Sequence, residues 1–186
     1  MRFISILITF LICLHNRVIF AQRATLGVGD YAPAFRVSTW LKGKSIRQLQ
    51  KGAVYVIDFW ATWCQPCIAS MPHFSEIARK YNDRATFLGV DVMERVAHRS
   101  PEQIQAFVDS MGKKMDYSVV IEEQNFMEKN WVVAANQGIP TIFIVNESGV
   151  IAWVGHPLNG FEEALDKILE KQWDIKLETG KMKKDR

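Results

Sequence analysis

Cysteine is scarce in this sequence: three residues in 186, with four histidines. So few thiols cannot build a small scaffold held together by a lattice of disulfides. Zinc asks for four ligands, and beyond Cys64 and Cys67 only His73, His98 and His156 stand outside the first apolar segment, with no ligand spacing. No metal site follows. An excess of one charge is lacking too. The formal net charge is +3, and setting aside Arg2 and Arg17 leaves 21 basic against 20 acidic side chains. Lys176, Lys181, Lys183, Lys184 and Arg186 at the end supply more than that excess. No basic groove for nucleic acid is left. Internal repeats and linkers are absent, and 48% hydrophobic with 23% charged residues is the balance of one globular domain.

No long apolar run is present either. Residues 3–14 are apolar except for Ser5 and Thr9, and about twelve residues rise about 18 Å as a helix against a bilayer core of about 30 Å. With Arg2 in front and the small Ala21 behind, the segment reads as a signal peptide over 1–21 that is cleaved near Ala21. The polar His15-Asn16-Arg17 between run and cleavage site leaves an uncleaved membrane tether through residues 3–14 as the alternative. Cys13 follows the bulky Ile12, which argues against lipid attachment, and belongs to the discarded run.

What remains alternates between two periods. Residues 22–33 are rich in turn formers and read as an irregular lead-in. A short strand is expected at 35–40 and a helical turn at 45–50. Residues 53–60 are apolar and β-branched almost throughout, as in a central strand buried on both faces, with Asp58 the exception. A helix follows from 65 to about 81, with Pro66 tolerated in its first turn and Pro72 kinking its interior. A strand is expected at 85–92. Ser100-Pro101-Glu102-Gln103 is a capping box opening a helix with Ile104, Phe107, Val108 and Met111 on one side and Gly112 at its end. Then come a strand at 117–121, a short helix at 124–131, and a strand at 139–145. A turn at 146–149 leads into a strand at 150–154, a helix opens near 159–162, and a frayed basic tail runs over 176–186. Strands alternating with helices give an α/β domain whose sheet is parallel with an antiparallel hairpin late in the chain.

Both cysteines outside the apolar segment fall where the buried strand turns into a helix, as Trp63-Cys64-Gln65-Pro66-Cys67. A pair two residues apart closes too small a loop to stabilise the fold much, so its value is chemical. Cys64 takes the cap position, facing unpaired N–H groups and the positive end of the helix dipole. Thiols so placed have a pKa of roughly 3.5 to 7.5 instead of about 8.5. Cys64 is therefore the attacking sulfur, and Cys67, one turn inward, resolves the mixed disulfide.

Taken together, the block 58–67 (Asp-Phe-Trp-Ala-Thr-Trp-Cys-Gln-Pro-Cys), the segment Gly138-Ile139-Pro140-Thr141 and Gly155 resemble the thioredoxin superfamily. The lead-in Gly29-Asp30-Tyr31-Ala32-Pro33 and an inserted strand and helix between Val92 and Gln137 resemble its exported TlpA/ResA-like thiol-disulfide oxidoreductases. The resemblance spans about 29–171 and implies a thioredoxin fold: a central mixed β-sheet flanked by helices, with an N-terminal extension and a strand-helix insertion, its domain taken as 34–175. It implies that Cys64 and Cys67 form the redox disulfide. It makes Asp58 a buried acid that takes or returns the proton of the inner sulfur, and Pro140 a cis-proline that turns Ile139 toward the substrate. Trp63, Gln65 and Pro66 are then docking residues, whereas Trp60 reads equally as core. Trp131, Asn136 and Gln137 carry no motif and read as packing. The lysine that some thioredoxins place near the acid is missing, with Gly89 in its position.

The implied activity is reduction of disulfides in exported client proteins, with a membrane thiol donor upstream and a periplasmic or otherwise extracytoplasmic location. No cofactor is called for, since the sulfurs carry the two electrons. Two other readings stay open. A peroxiredoxin-like thiol peroxidase wants Pro and Thr seven and three residues before its cysteine, where Ile57 and Ala61 stand. A non-catalytic thioredoxin-like module would hold a client or a metal ion and have no need of the Cys64 thiol.

Overall fold

The computed structural model describes residues 25–184, with side chains through 179. The signal peptide expected over 1–21, Cys13 and the cleavage expected near Ala21 lie outside the described residues. Six strands form one sheet: β1 Val37–Lys42, β2 Val54–Trp60, β3 Ala85–Asp91, β4 Ser118–Glu122, β5 Thr141–Val145 and β6 Ile151–Gly155, in the order β1-β4-β3-β2-β5-β6. The trio β2, β3 and β4 is parallel, while β1, β5 and β6 join antiparallel. Four α-helices accompany them: α1 Gln65–Lys80, α2 Pro101–Met111, α3 Phe161–Leu169 and α4 Ile175–Lys184.

The sheet is buried on both sides because β2 is apolar on both. Val54, Val56 and Trp60 join Met71, Phe74 and Ile77 of α1, Ile104 and Val108 of α2, and Phe161 and Leu165 of α3. Tyr55, Ile57 and Phe59 face the other way, onto Phe35, Met127, Trp131 and Val132. By the same alternation Asp58 points to the α1 side. The sequence Ser100 to Gln103 forms its capping box in both directions, and Gly112 ends α2. The helix α1 continues through Pro72.

Four expectations need correction. Residues 45–50 form no helical turn. Ile46 and Leu49 pack on the second cluster, and the Gln50 N–H donates to the Tyr55 hydroxyl at 3.0 Å, which holds the segment open. The helix expected at 124–131 starts late, because Gln124 and Asn125 take positive φ, and its body is a π-helical segment, Glu128–Val133. The strand expected from Ile139 starts at Thr141, leaving Ile139 and Pro140 outside it. The tail expected to fray from 176 is helical over its described residues: α4 runs to Lys184, and the boundary drawn at 175 falls on its first residue. Asp174 caps α4 by accepting from the N–H groups of Lys176 and Leu177, and Thr179 Oγ1 donates to the Val28 carbonyl at 3.2 Å. The lead-in follows the edge of the hairpin, with a bridge between Tyr31 and Val150.

Phe74 is the hinge of the α1 side, packed edge-on against Phe87 and Tyr117 and tilted against Phe161. Truncating it to Ala empties a site shared by three elements and is expected to lower stability by about 3–5 kcal/mol. A urea titration checks this as a lower midpoint at unchanged slope.

Candidate active site

The active-site turn is built where β2 runs out of sheet. Its last residue, Trp60, is fully buried and stacks on Phe107 of α2, with ring centroids 5.6 Å apart. Four residues later Cys64 caps α1 in extended geometry, and its Sγ accepts the Cys67 N–H at 3.3 Å. The Cys64 carbonyl accepts the Ile68 N–H at 3.0 Å, so both the side chain and the backbone of Cys64 tie up N–H groups of the first turn. Pro66 falls in that turn, where a missing N–H costs nothing. Cys64 and Cys67 are joined as a disulfide. Cys64 is 4% exposed and Cys67 is wholly buried, whereas Trp63, Gln65 and Pro66 between and before them are exposed.

The turn is strapped from one side by the segment after β3. Thr62 donates both its N–H and its hydroxyl to Glu94, the latter at 2.9 Å, and the Trp63 indole N–H donates to the Met93 carbonyl at 3.2 Å. Glu94 is buried and belongs to a carboxylate group with Asp91, Glu122 and Glu128. Arg95 pairs with Glu128, and Glu122 accepts the Glu128 N–H at 2.8 Å. Sequence reading missed Glu94 and Asp91. Nothing in Asp-Val-Met-Glu-Arg marks them, since Glu94 finds its partner Thr62 some thirty residues back and Asp91 is set beside Glu122 only by the fold.

On the other side stands the turn into β5. The Ile139–Pro140 peptide bond is cis, and Thr141 pairs with Phe59, which sets Pro140 beside the exit of β2. Ile139 is half-buried against the cluster that contains both cysteines. The Thr141 hydroxyl donates to the Gly138 carbonyl at 2.6 Å.

Asp58 lies in β2 beneath this turn, 1% exposed, and neither carboxyl oxygen has a hydrogen-bond partner. Burial alone pushes its pKa well above the usual carboxylate range. Trp131 is fully buried, with its indole N–H on the Ala34 carbonyl at 3.2 Å, so it packs rather than docks. Asn136 takes positive φ in the turn before Gly138. Among the described residues, no group of three or more His, Cys, Asp and Glu side chains could hold a metal ion. Nor is any helix among them long and apolar enough to cross a membrane.

With that geometry in hand, the family model described as Redoxin matches residues 27–168. The chain belongs to the Redoxin family. This redoxin is 31% identical over 123 residues to the thioredoxin-like protein YneN of Bacillus subtilis, covering 66% of this chain and 68% of that one. It is 29% identical over 136 residues to the thiol-disulfide oxidoreductase ResA of Bacillus thuringiensis, covering 71% of each. In fold it matches the thioredoxin domain of a thiol-disulfide oxidoreductase from Bacteroides vulgatus, with a TM-score of 0.63, 23% identity, and coverage of 77% of this chain and 99% of that one. The expected TlpA/ResA-like resemblance and thioredoxin fold therefore stand. With its cysteine pair joined at the helix cap, the protein is a dithiol-disulfide oxidoreductase.

The carboxylates of the strap carry a pH signature of their own. Asp91, 1% exposed with Oδ2 unpartnered, has its pKa pushed up from 3.8 to about 10 by burial first and then by the Glu94 and Glu122 charges. Between those values the folded protein holds a proton that the unfolded chain has released. Its stabilising contribution is thus complete below about pH 4 and falls as pH rises, by up to about 1.4 kcal/mol per unit. Asp91→Asn removes that slope, so the variant should gain on the parent steadily from pH 5 to pH 8 in denaturant titrations. Parallel stability curves for the two would refute the assignment.

Proposed function

We propose that the protein is a reductant of disulfides in exported client proteins, working outside the cytoplasm. The observation that carries the chemistry is the Cys64 sulfur at the N-terminus of α1 with Cys67 buried one turn inside it. In the reduced protein the helix terminus favours the Cys64 thiolate. That thiolate attacks one sulfur of a client disulfide, forming a Cys64–client disulfide and releasing the other client sulfur as a thiolate. The Cys67 thiol passes its proton to the Asp58 carboxylate and attacks Cys64 Sγ. The second client thiolate leaves, the Cys64–Cys67 disulfide closes, and two electrons have moved to the client. A dithiol donor at the membrane restores the pair by the reverse exchange.

Asp58 suits the proton-transfer role because it is buried on the α1 side and free of partners, so its proton is not committed elsewhere. Clients approach over Trp63, Gln65 and Pro66, which are exposed, and align an extended segment along Ile139 and Pro140. Reductant rather than oxidant rests on the resemblance to the TlpA/ResA-like branch. A reduction potential near −120 mV would reverse the direction. The export segment at 1–21, the domain at 34–175 and the membrane donor belong to this proposal and rest on the sequence.

Trapping tests it. Cys67→Ser should accumulate mixed disulfides on Cys64 that dithiothreitol releases, and a defined set of partners should recur. Cys64→Ser should lose disulfide reduction by at least 1000-fold, on the order expected for removing an attacking nucleophile. Adducts without a recurring partner would leave the client reading unsupported. Reduction that survives Cys64→Ser would return the protein to the binding-module reading.

A further inference from the structure

A proton-accepting acid inside a protein needs something to keep its charged form accessible, and among the described residues no lysine charge acts on Asp58. Its neighbour in the β2–β3 register is Gly89. A Cβ built there would lie 2.7 Å from Tyr117 Cε2 and 3.1 Å from Trp60 Nε1. The missing side chain at Gly89 is what admits the phenol ring. Tyr117 directly precedes β4, is 7% exposed, and is held edge-on by Phe74 at 4.7 Å between centroids. Its ring therefore has a fixed place over the strand beside Asp58.

The polar atoms around Gly89 share one property. Among the described residues five buried side-chain nitrogen or oxygen atoms have no hydrogen-bond partner, and four of them are Asp58 Oδ1 and Oδ2, Trp60 Nε1 and Tyr117 Oη. Buried polar groups are nearly always paired, so four unpaired atoms gathered at one spot call for an explanation. Two are donors and two belong to a single carboxyl, so the group matches a carboxylate that comes and goes. The charge on Asp58 is also felt at Tyr117, where it adds to burial in pushing the phenol above its usual range and keeps it a neutral donor.

We propose that Tyr117 is a positioning residue for disulfide exchange, its O–H serving as the hydrogen-bond donor to the Asp58 carboxylate in the place that a lysine fills elsewhere. A neutral O–H lowers the cost of the buried charge without fixing it, so Asp58 can still accept the Cys67 proton. Among the described residues no other charge acts on Asp58, whose pKa is raised by burial alone. On the α1 side the Cys64–Cys67 disulfide lies in the cluster of Val56 and Trp60, α2 places the apolar Phe107 on Trp60, and β5 places the apolar Ile142 beside Asp58. Asp91, two positions beyond Gly89 in β3, is protonated up to about pH 10 and contributes no charge at neutral pH. This inference rests on Asp58 acting as the proton acceptor for Cys67.

The test is the pH profile of mixed-disulfide resolution, with Cys64 loaded with a small aromatic thiol and release followed by absorbance. Tyr117→Phe keeps the ring on Phe74 and removes only the O–H. Its inflection should move up by about one pH unit, giving about 10-fold slower release on the acid side and convergence with the parent on the alkaline side. A profile overlying the parent, or a drop equal at every pH, overturns the role of Tyr117. Asp58→Asn separates the two claims: if it keeps the parent inflection, the Asp58 reading itself falls and takes this one with it. A variant-free measurement guards against misfolding. In the parent protein the 13Cζ resonance of Tyr117 should titrate with the same midpoint as the Asp58 carboxyl, and independent midpoints overturn the proposal.

Discussion

The N–H of Cys67 pointing at the sulfur of Cys64 is the contact around which the functional part of the molecule is arranged. It exists only because the chain changes from strand to helix between Trp60 and Gln65, at the C-terminal end of an interior strand of a sheet buried on both faces. A helix start is a place where backbone donors are unpaired and need an acceptor. Ser, Thr, Asp or Asn usually supplies an oxygen there. Here the acceptor is a sulfur, so the same contact that caps the helix also stabilises the ionised thiol. Structure and chemistry use one hydrogen bond.

Everything nearby limits how that turn can move. Thr62 is held by Glu94 and Trp63 by Met93 on one flank, and Thr141 pairs with Phe59 on the other. Trp60 is clamped under Phe107. These contacts come from three separate stretches of chain, which is why they are long-range and why the redox turn sits on a rigid frame while Trp63, Gln65 and Pro66 stay exposed to meet a partner. Precision in the buried sulfur and tolerance at the surface are divided between adjacent residues.

Local patterns carried most of this into the sequence. The apolar run ending at Trp60, the Ser100–Gln103 box and Gly112 each act over a few residues, and each was legible. So were Cys64 and Cys67, because a thiol pair at a strand-helix junction is a local feature. The π-helical segment was misread as an ordinary helix starting at 124, since its start depends on two positive-φ residues that the pattern of apolar spacing does not register. Helix α4 was misread because its packing comes from Trp173 on the Ala152 carbonyl and Thr179 on Val28, contacts from far along the chain. The strap through Glu94 and the polar group around Gly89 were invisible for the same reason: each joins residues thirty or more positions apart.

Two buried aspartates without a partner on at least one carboxyl oxygen stand in this active-site region, and the contrast between them bears on which one does chemistry. Asp91 is surrounded by other carboxylates, and their charges add to burial in holding its proton. A group held neutral to about pH 10 cannot cycle at neutral pH; it can only shape the strap. Asp58 is pushed up by burial alone, with no anionic neighbour opposing its ionisation and two neutral donors, the Tyr117 O–H and the Trp60 N–H, left unpaired around Gly89. Burial raises its proton affinity, and in the role proposed for Tyr117 the phenol O–H opposes that rise.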